Sequence, residues 1–365
     1  MANTFITPSI VAREALMILE NNLVAANLFD RSHVSDFTGA KVGDTITIRG
    51  PAAFTANEFT TTTSTQNITE SSVSLTLEKH FDVTVGVTSK EWTLNLDQFS
   101  QRVIEPAVAA IAQGIDSYIL TKASQQLYNF VGTAADPPDT LTDIAAIDKK
   151  LNDLKCPVAG RIAIVNSQAK SDILSNVTEF TRADYRGDDG DALRTAGMGE
   201  FMGMQWYMDQ NVASITSAMS GWLVNSASVA IGDSSVVIDT GSGTPVAGDL
   251  FTVAGDTQQY TVVSYATSTI TFSPTAKVAW ADSAAITAIA THASNLAGDR
   301  RGLSLAIVPL ELPAGSSDAE YISDRNLGIR VVYDYASSTK TDTISFDVLC
   351  GAVVQQPDLL TQVLG

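Results

Sequence analysis

The sequence holds 365 residues, 45% of them apolar, and sets 22 Lys and Arg against 40 Asp and Glu for a net charge of −18. A chain of this size can bury about three quarters of its surface, which excludes a disordered polymer and fits two or three domains. The acidic balance, with no basic run, excludes broad adhesion to nucleic acid, which needs Lys and Arg to neutralise phosphates.

Copies of so acidic a chain that associate must do so against mutual repulsion, screened over about 8 Å at physiological salt. No apolar run approaches the roughly 20 residues of a membrane span. Arg13, Glu14 and Glu20 interrupt the N-terminal apolar stretch, so a secretion signal is not expected and the expected location is the cytoplasm. Cys156 and Cys350 have no CxxC spacing and read as small core side chains in a reducing compartment.

Along the chain, residues 7–29 open with Thr7 as a cap and Pro8 at the first helical position. Val11, Ala15, Ile18, Leu19 and Leu23 then recur as a helical stripe. "KVGDTITIRG" (41–50) reads as a turn feeding a strand, and the Thr-rich stretch 55–69 has few groups able to build a core. From 73 to 87 the residues alternate without a break, with Val73, Leu75, Leu77, Lys79, Phe81, Val83, Val85 and Val87 on one face. The pattern predicts a single strand of roughly 50 Å and, with its Thr-rich tip, a projecting hairpin. A helix is predicted over 94–123, with Val108, Ile111, Ile115, Tyr118 and Lys122 on one face. Pro106 would kink it or open a second segment.

After a loop at 136–140, "TDIAAIDKKLNDLKCP" reads as a helix, "RIAIVNS" as a buried strand and "QAKSDILSNVTEF" as another helix. From 213 to 295 the helical signal fades into short strands separated by Gly, Asp and Ser turns, which predicts a small barrel or sandwich. Asp233, Asp239, Asp249, Asp256 and Asp282 stand there against a lone Lys277. "RRGLSLAIVPLEL" resumes buried-strand character, so the β block reads as an insertion into a host domain. "GIRVVYDY", a polar turn and "TISFDVLCGAVV" predict a long antiparallel hairpin.

Chemistry is sparse. His33, His80 and His292 have no His or Cys partner at ligand spacing, and no nucleophile elbow, zinc-protease motif or phosphate loop occurs. "GMGEFMG" (197–203) misses the dinucleotide fingerprint by one residue and reads as turn glycines. "RGDDGD" (186–191) reads as a solvated acidic loop, lacking the closing Glu of a calcium loop. No catalytic residue, cofactor or metal is expected.

Four segments carry a resemblance: "MANTFITPSIVAREALMILENN", "KVGDTITIRGPAAFTA", "RVIEPAVAAIAQGIDSYI" and "ALRTAGMGEFMGMQWYMDQNV". Together they resemble the major coat protein of short-tailed temperate phages of the Salmonella type, within the tailed-phage capsid proteins of the Hong Kong 97 fold. The ending "DVLCGAVVQQPDLL" is similar to the family's final strand. The resemblance implies an α+β fold with an N-terminal arm (1–40), an extended loop (41–90) and a peripheral domain with a spine helix (91–140). It further implies an axial domain (141–212, resumed at 296–325), an inserted β domain (213–295) and peripheral C-terminal strands (326–365).

It also implies a coat protein that forms hexamers and pentamers of itself, through non-covalent subunit contacts, in an icosahedral virion shell around double-stranded DNA that it does not grip. A portal protein is an expected partner, and so is a scaffolding protein, expected to be separate because no charged heptad prosegment precedes the fold. Subunit contacts are expected at Arg13, Glu14 and Leu16 of the first helix and at Arg49, Phe54, Glu58, Phe59 and Lys79 of the hairpin. The alternative for Phe54 and Phe59 is that they tuck under their own subunit. The alternative functions are a tail or surface-layer component and, behind it, a carbohydrate-active enzyme with a β module.

Overall fold

The computed structural model describes residues 8–38, 45–50, 54–59, 63, 65–68, 70–88, 100–182, 195–225, 229–313 and 319–365. They gather into two compact units, one made of residues 1–20, 31–111 and 303–356, the other of 21–30, 112–302 and 357–365.

The first unit is built around one strand, Thr341–Val354, whose alternating Ile344, Phe346, Val348, Cys350 and Ala352 are buried. It pairs antiparallel with Lys79–Thr88, with Leu327–Ala336 through the expected hairpin, and with Leu303–Val308; Ala319–Asp324 adds an outer strand to Leu327–Ala336. A separate two-stranded ladder pairs Thr45–Arg49 with Ser72–Thr76. Val34, Ile48, Leu75, Ala306 and Val353 form the core beneath it.

The single strand predicted over 73–87 is therefore two strands. Residues 72–76 pair with 45–49, residues 79–88 pair with 341–350, and Leu77 and Glu78 carry the change of partner. Alternation runs on unbroken because in each half the odd-numbered residues, such as Leu75 and Val87, are the more buried ones. The backbone passes Gly351 so closely at this switch that a Cβ there would lie 2.1 Å from the Thr76 carbonyl oxygen.

The long helix also differs from expectation at its start. Ser100–Ile104 form a π-helical turn, and a regular α-helix runs over Glu105–Gln126, so Pro106 stands at the start of a second segment. Residues 94–99 lie outside the described set. The expectation that no segment suits a membrane span needs correction, since Arg102–Gln126 is long and apolar enough by length and composition. Alanines keep its mean hydropathy high while polar residues interrupt every run. Here its apolar side is spent on protein, with Val108, Ile111, Ile115, Ile119 and Leu120 buried.

In the second unit a mixed sheet orders its strands as Phe130–Val131, Leu360–Leu364, His292–Asp299, Arg161–Val165, Met204–Met208 and Gly199–Phe201. Helix Leu141–Asp153 starts from a reciprocal cap in which Asp143 N–H donates to Thr140 Oγ1 and Thr140 N–H to the Asp143 carboxylate. It packs with helices Ser167–Asn176 and Thr178–Thr181 over a core that includes Ile144, Ile147, Ala163, Val165, Ile173, Phe180 and Trp206. The "GMGEFMG" stretch is the hairpin between the last two strands, turning at Met202 and Gly203 with φ of 48° and 72°.

Two expected boundaries move. Leu303–Val308 joins the sheet of 341–354 instead of resuming the sheet of 161–208, and Leu360–Leu364 leaves the C-terminal hairpin to sit between 130–131 and 292–299. Both segments are apolar on both faces, a pattern that shows burial but not which sheet buries it.

Within the block from 213 to 295, the strands between 223 and 288 form a closed barrel. Its strands run in the order Ile286–Ala288, Leu250–Val253, Tyr260–Ala266, Thr269–Ser273, Ser235–Asp239, Leu223–Val224. A bridge between Leu223 and Ala285, with Ile286 N–H donating to Trp222 O at 3.0 Å, joins the two ends. The chain enters and leaves side by side, as Ser214–Ile215 pairs with residues 292–293. The acidic bias of the barrel is turn chemistry: Asp233, Asp249 and Asp256 accept the backbone N–H of Ala230, Val246 and Gln258.

Gln259 fastens the barrel to its host. Its side-chain amide imitates a strand partner, accepting Phe130 N–H at 2.9 Å and donating to Phe130 O at 3.0 Å, while Lys150 Nζ donates to the same Oε1 at 2.8 Å. Gln259→Leu is expected to cost about 1–3 kcal/mol, because both Phe130 backbone groups lose their partner. Hydrogen exchange should show the loss at 130–131 with the barrel strands still protected; unchanged exchange there would remove Gln259 from this role.

Candidate subunit interface

Beyond the ladder of 45–49 with 72–76, the described residues 54–59, 63 and 65–68 form no regular element, and all are exposed. Threonines and a lone Glu58 give this stretch nothing to pack on. Its internal tie is the Gln66 side chain, which accepts Thr55 N–H and donates to Thr55 O. Phe54, Phe59 and Ile68 stand 63%, 67% and 73% exposed, so the phenylalanines do not tuck under their own chain. Burying such a side chain is worth about 1.5–3 kcal/mol, so this loop offers several kcal/mol to a surface that covers it. Arg49 and Glu70 approach only to 3.7 Å with both side chains well exposed, a pair of little worth by itself.

On the first helix, Pro8–Asn22, Arg13 is exposed and Glu14 half-buried. Leu16 is 7% exposed and belongs to the core of its own chain, so it is withdrawn as a contact residue; the neighbouring Met17 is 59% exposed. The stripe spacing could not separate the two, since Leu16 lies one position after Ala15 on the stripe's flank. Thr7 lies outside the described residues. Lys79 is exposed at the head of strand 79–88. The structure thus places Phe54, Glu58 and Phe59 on one loop, Arg49 at the end of strand 45–49 and Arg13 on the helix.

Several ionisable groups elsewhere among the described residues serve structure. Arg330 donates to Asp347 Oδ2 through Nε and Nη2 at 3.0 and 2.6 Å, and His80 Nε2 lies 3.4 Å from Asp347 Oδ1. Asp82, opposite Asp347 in the ladder, is pushed up by burial, but hydrogen bonds, led by the one from Ser345 at 2.7 Å, outweigh this and leave it below its ordinary value. His292 is buried with Nδ1 2.7 Å from Ala290 O, and His33 Nδ1 lies 3.2 Å from Asp36 Oδ2. Both cysteines are free and buried; burial raises both thiols, Cys350 to about 12, which makes them poor nucleophiles. Among the described residues no three His, Cys, Asp or Glu side chains gather as metal ligands.

A cleft of about 550 Å³ opens between Ser117, Thr121 and Gln125 of the long helix and the segment 210–216. Its lining mixes polar and aliphatic side chains with no charged one, and no nucleophile–base pair lines it. The "RGDDGD" loop lies outside the described residues.

No protein-family model and no curated protein matches the sequence. Solved structures do match. A structure from Mycobacterium phage Che8 superposes with a TM-score of 0.55 at 15% identity, covering 93% of this chain and 90% of that one. The capsid of Ralstonia phage GP4 gives a TM-score of 0.51 at 8% identity, covering 88% of this chain and 83% of that one. The fold is accordingly the α+β capsid fold of the Hong Kong 97 type, carrying an inserted all-β domain.

Proposed function

We propose that this chain is a major capsid protein that assembles with copies of itself into the icosahedral head of a tailed phage. The observation that carries the reading is the extended loop, which presents Phe54, Phe59 and Ile68 to solvent on a fold of shell-forming type. A loop that holds apolar side chains where its own chain cannot cover them is an interface waiting for a neighbour. Many such contacts, each modest, hold a subunit because all must break before it leaves. An excess of carboxylates suits an inner wall that lets packaged double-stranded DNA slide rather than adhere. Hexamers and pentamers, a separate scaffolding protein, a portal and assembly in the bacterial cytoplasm complete this reading, as does membership of the Salmonella-type coat proteins. Arg13, Glu14, Arg49, Glu58 and Lys79 would supply the polar rim of the contacts.

Negative-stain electron microscopy with light scattering, on the chain alone and with candidate scaffolding protein, tests the proposal. Closed shells of uniform diameter support it, and a persistent monomer in both conditions overturns it. The double substitution Phe54→Ala with Phe59→Ala should leave the unfolding midpoint of the monomer within about 0.5 kcal/mol of the parent. The same change should raise the concentration needed for shells by roughly a hundredfold or more. Normal shells at the parent concentration would take the two side chains out of the interface.

A further inference from the structure

The first helix ends at Asn22, and a second, short one follows at Ala25–Leu28. Its cap position is Val24, which has no side-chain acceptor for the free amides of the first turn. Asp116 of the long helix supplies the acceptors instead, taking Val24 N–H on Oδ2 at 2.7 Å and Ala26 N–H on Oδ1 at 2.9 Å. Asp116 is 1% exposed, and Ala25, Ala26, Leu28 and Phe29 are buried as well. The charged group that acts on it is Asp209, also buried. Asp209 Oδ1 accepts from the backbone and side chain of Asn211, but Oδ2 has no hydrogen-bond partner among the described residues.

We propose that Asp116 is a proton-controlled latch, its carboxyl fastening segment 24–28 to the long helix and taking up a proton as the segment closes. Closure removes the carboxyl from water and holds it beside a second buried carboxylate. Burial favours the protonated form most, the N–H bonds oppose it and Asp209 adds to it, leaving Asp116 pushed up to about 6. With the segment open, the group returns to water and to the ordinary aspartate range near about 4. The closed form thus binds a proton about a hundredfold more tightly. Its contribution to closure is complete below about pH 4 and is lost as pH rises through about 6. The latch is a property of one chain and stands whether or not that chain builds a shell.

Hydrogen exchange on the full-length chain, corrected for intrinsic rates, tests it. Protection at 24–28 should be about tenfold greater at pH 5 than at pH 7.5, while strand 269–273 of the barrel shows no such change. Asp116→Asn should abolish the pH dependence. Asp209→Asn, which keeps the latch but removes its neighbour's charge, should move the midpoint to lower pH. A flat profile in the parent chain, or a profile that both variants leave unaltered, overturns the proposal.

Discussion

Replacing Trp280 with Ala is expected to destabilise the inserted barrel by about 3–5 kcal/mol. The indole is 1% exposed at the centre of a ring cluster, with centroids 4.8 Å from Phe272, 5.1 Å from Tyr260 and 6.4 Å from Phe251. Its Nε1 donates to Asp256 Oδ2 at 3.1 Å, and Tyr260 Oη donates to the same oxygen at 2.5 Å. Truncation therefore opens a cavity and takes one donor from a carboxylate that the hydrogen bonds hold below its ordinary value against the effect of burial. A closed barrel cannot collapse onto such a hole without breaking its ladder, so little of the loss is recovered. Hydrogen exchange should show strands 235–239, 250–253, 260–266 and 269–273 losing protection together, ahead of strand 161–165. Trp280→Phe should retain most of the stability. Unfolding that begins in the host sheet would show that the cluster does not hold the barrel.

The second large effect is expected at Arg161. Its side chain is 1% exposed, yet every nitrogen donates: Nε to Pro157 O at 2.9 Å, Nη1 to Asp148 Oδ1 at 2.6 Å, and Nη2 to Asn152 Oδ1 and Cys156 O at 2.8 and 2.6 Å. The guanidinium so ties the last turns of helix 141–153 and the loop after it to strand 161–165. Arg161→Met keeps the volume but strands two backbone carbonyls, the Asn152 amide oxygen and a carboxylate, for a loss of about 3 kcal/mol or more. Asp148 keeps a third of its side chain exposed, and its rehydration limits the loss. Arg161→Lys should recover little, because one ammonium cannot reach acceptors spread around a planar fork. Urea denaturation followed at the second unit measures both, and a lysine variant as stable as the parent would refute the account.

Periodicity in the sequence located most elements. The long helix, helix 141–153, the buried strand 161–165 and the C-terminal hairpin all follow from spacing and caps. What periodicity could not supply was partnership. The alternation over 73–87 is indifferent to the change of neighbour at Leu77 and Glu78, and the apolar runs 303–308 and 360–364 fit either sheet. The same limit applies at the candidate interface. A Thr-rich tip with two phenylalanines announces an exposed loop, but Leu16 and Met17 are told apart only by packing. Asp116 did leave a trace, a carboxylate between the apolar Ala112, Ile115, Ile119 and Leu120, whose meaning depends on amides ninety residues earlier in the chain.

The placement of strands 341–354 and 360–364 has a consequence for synthesis on the ribosome. Every barrel strand lies between residues 223 and 288, so the barrel's parts are all present once that stretch has emerged. The sheet of the first unit waits for 341–354, which joins 79–88, 303–308 and 327–336, and the sheet of the second waits for 360–364. At roughly 5–20 residues per second, the ribosome needs several seconds to travel from the barrel to these strands. During that interval the nascent chain holds one finished module between two sets of unpaired strand edges. Those edges stay open to wrong pairing throughout that interval, and its length is set by the distance from the barrel to the central strand.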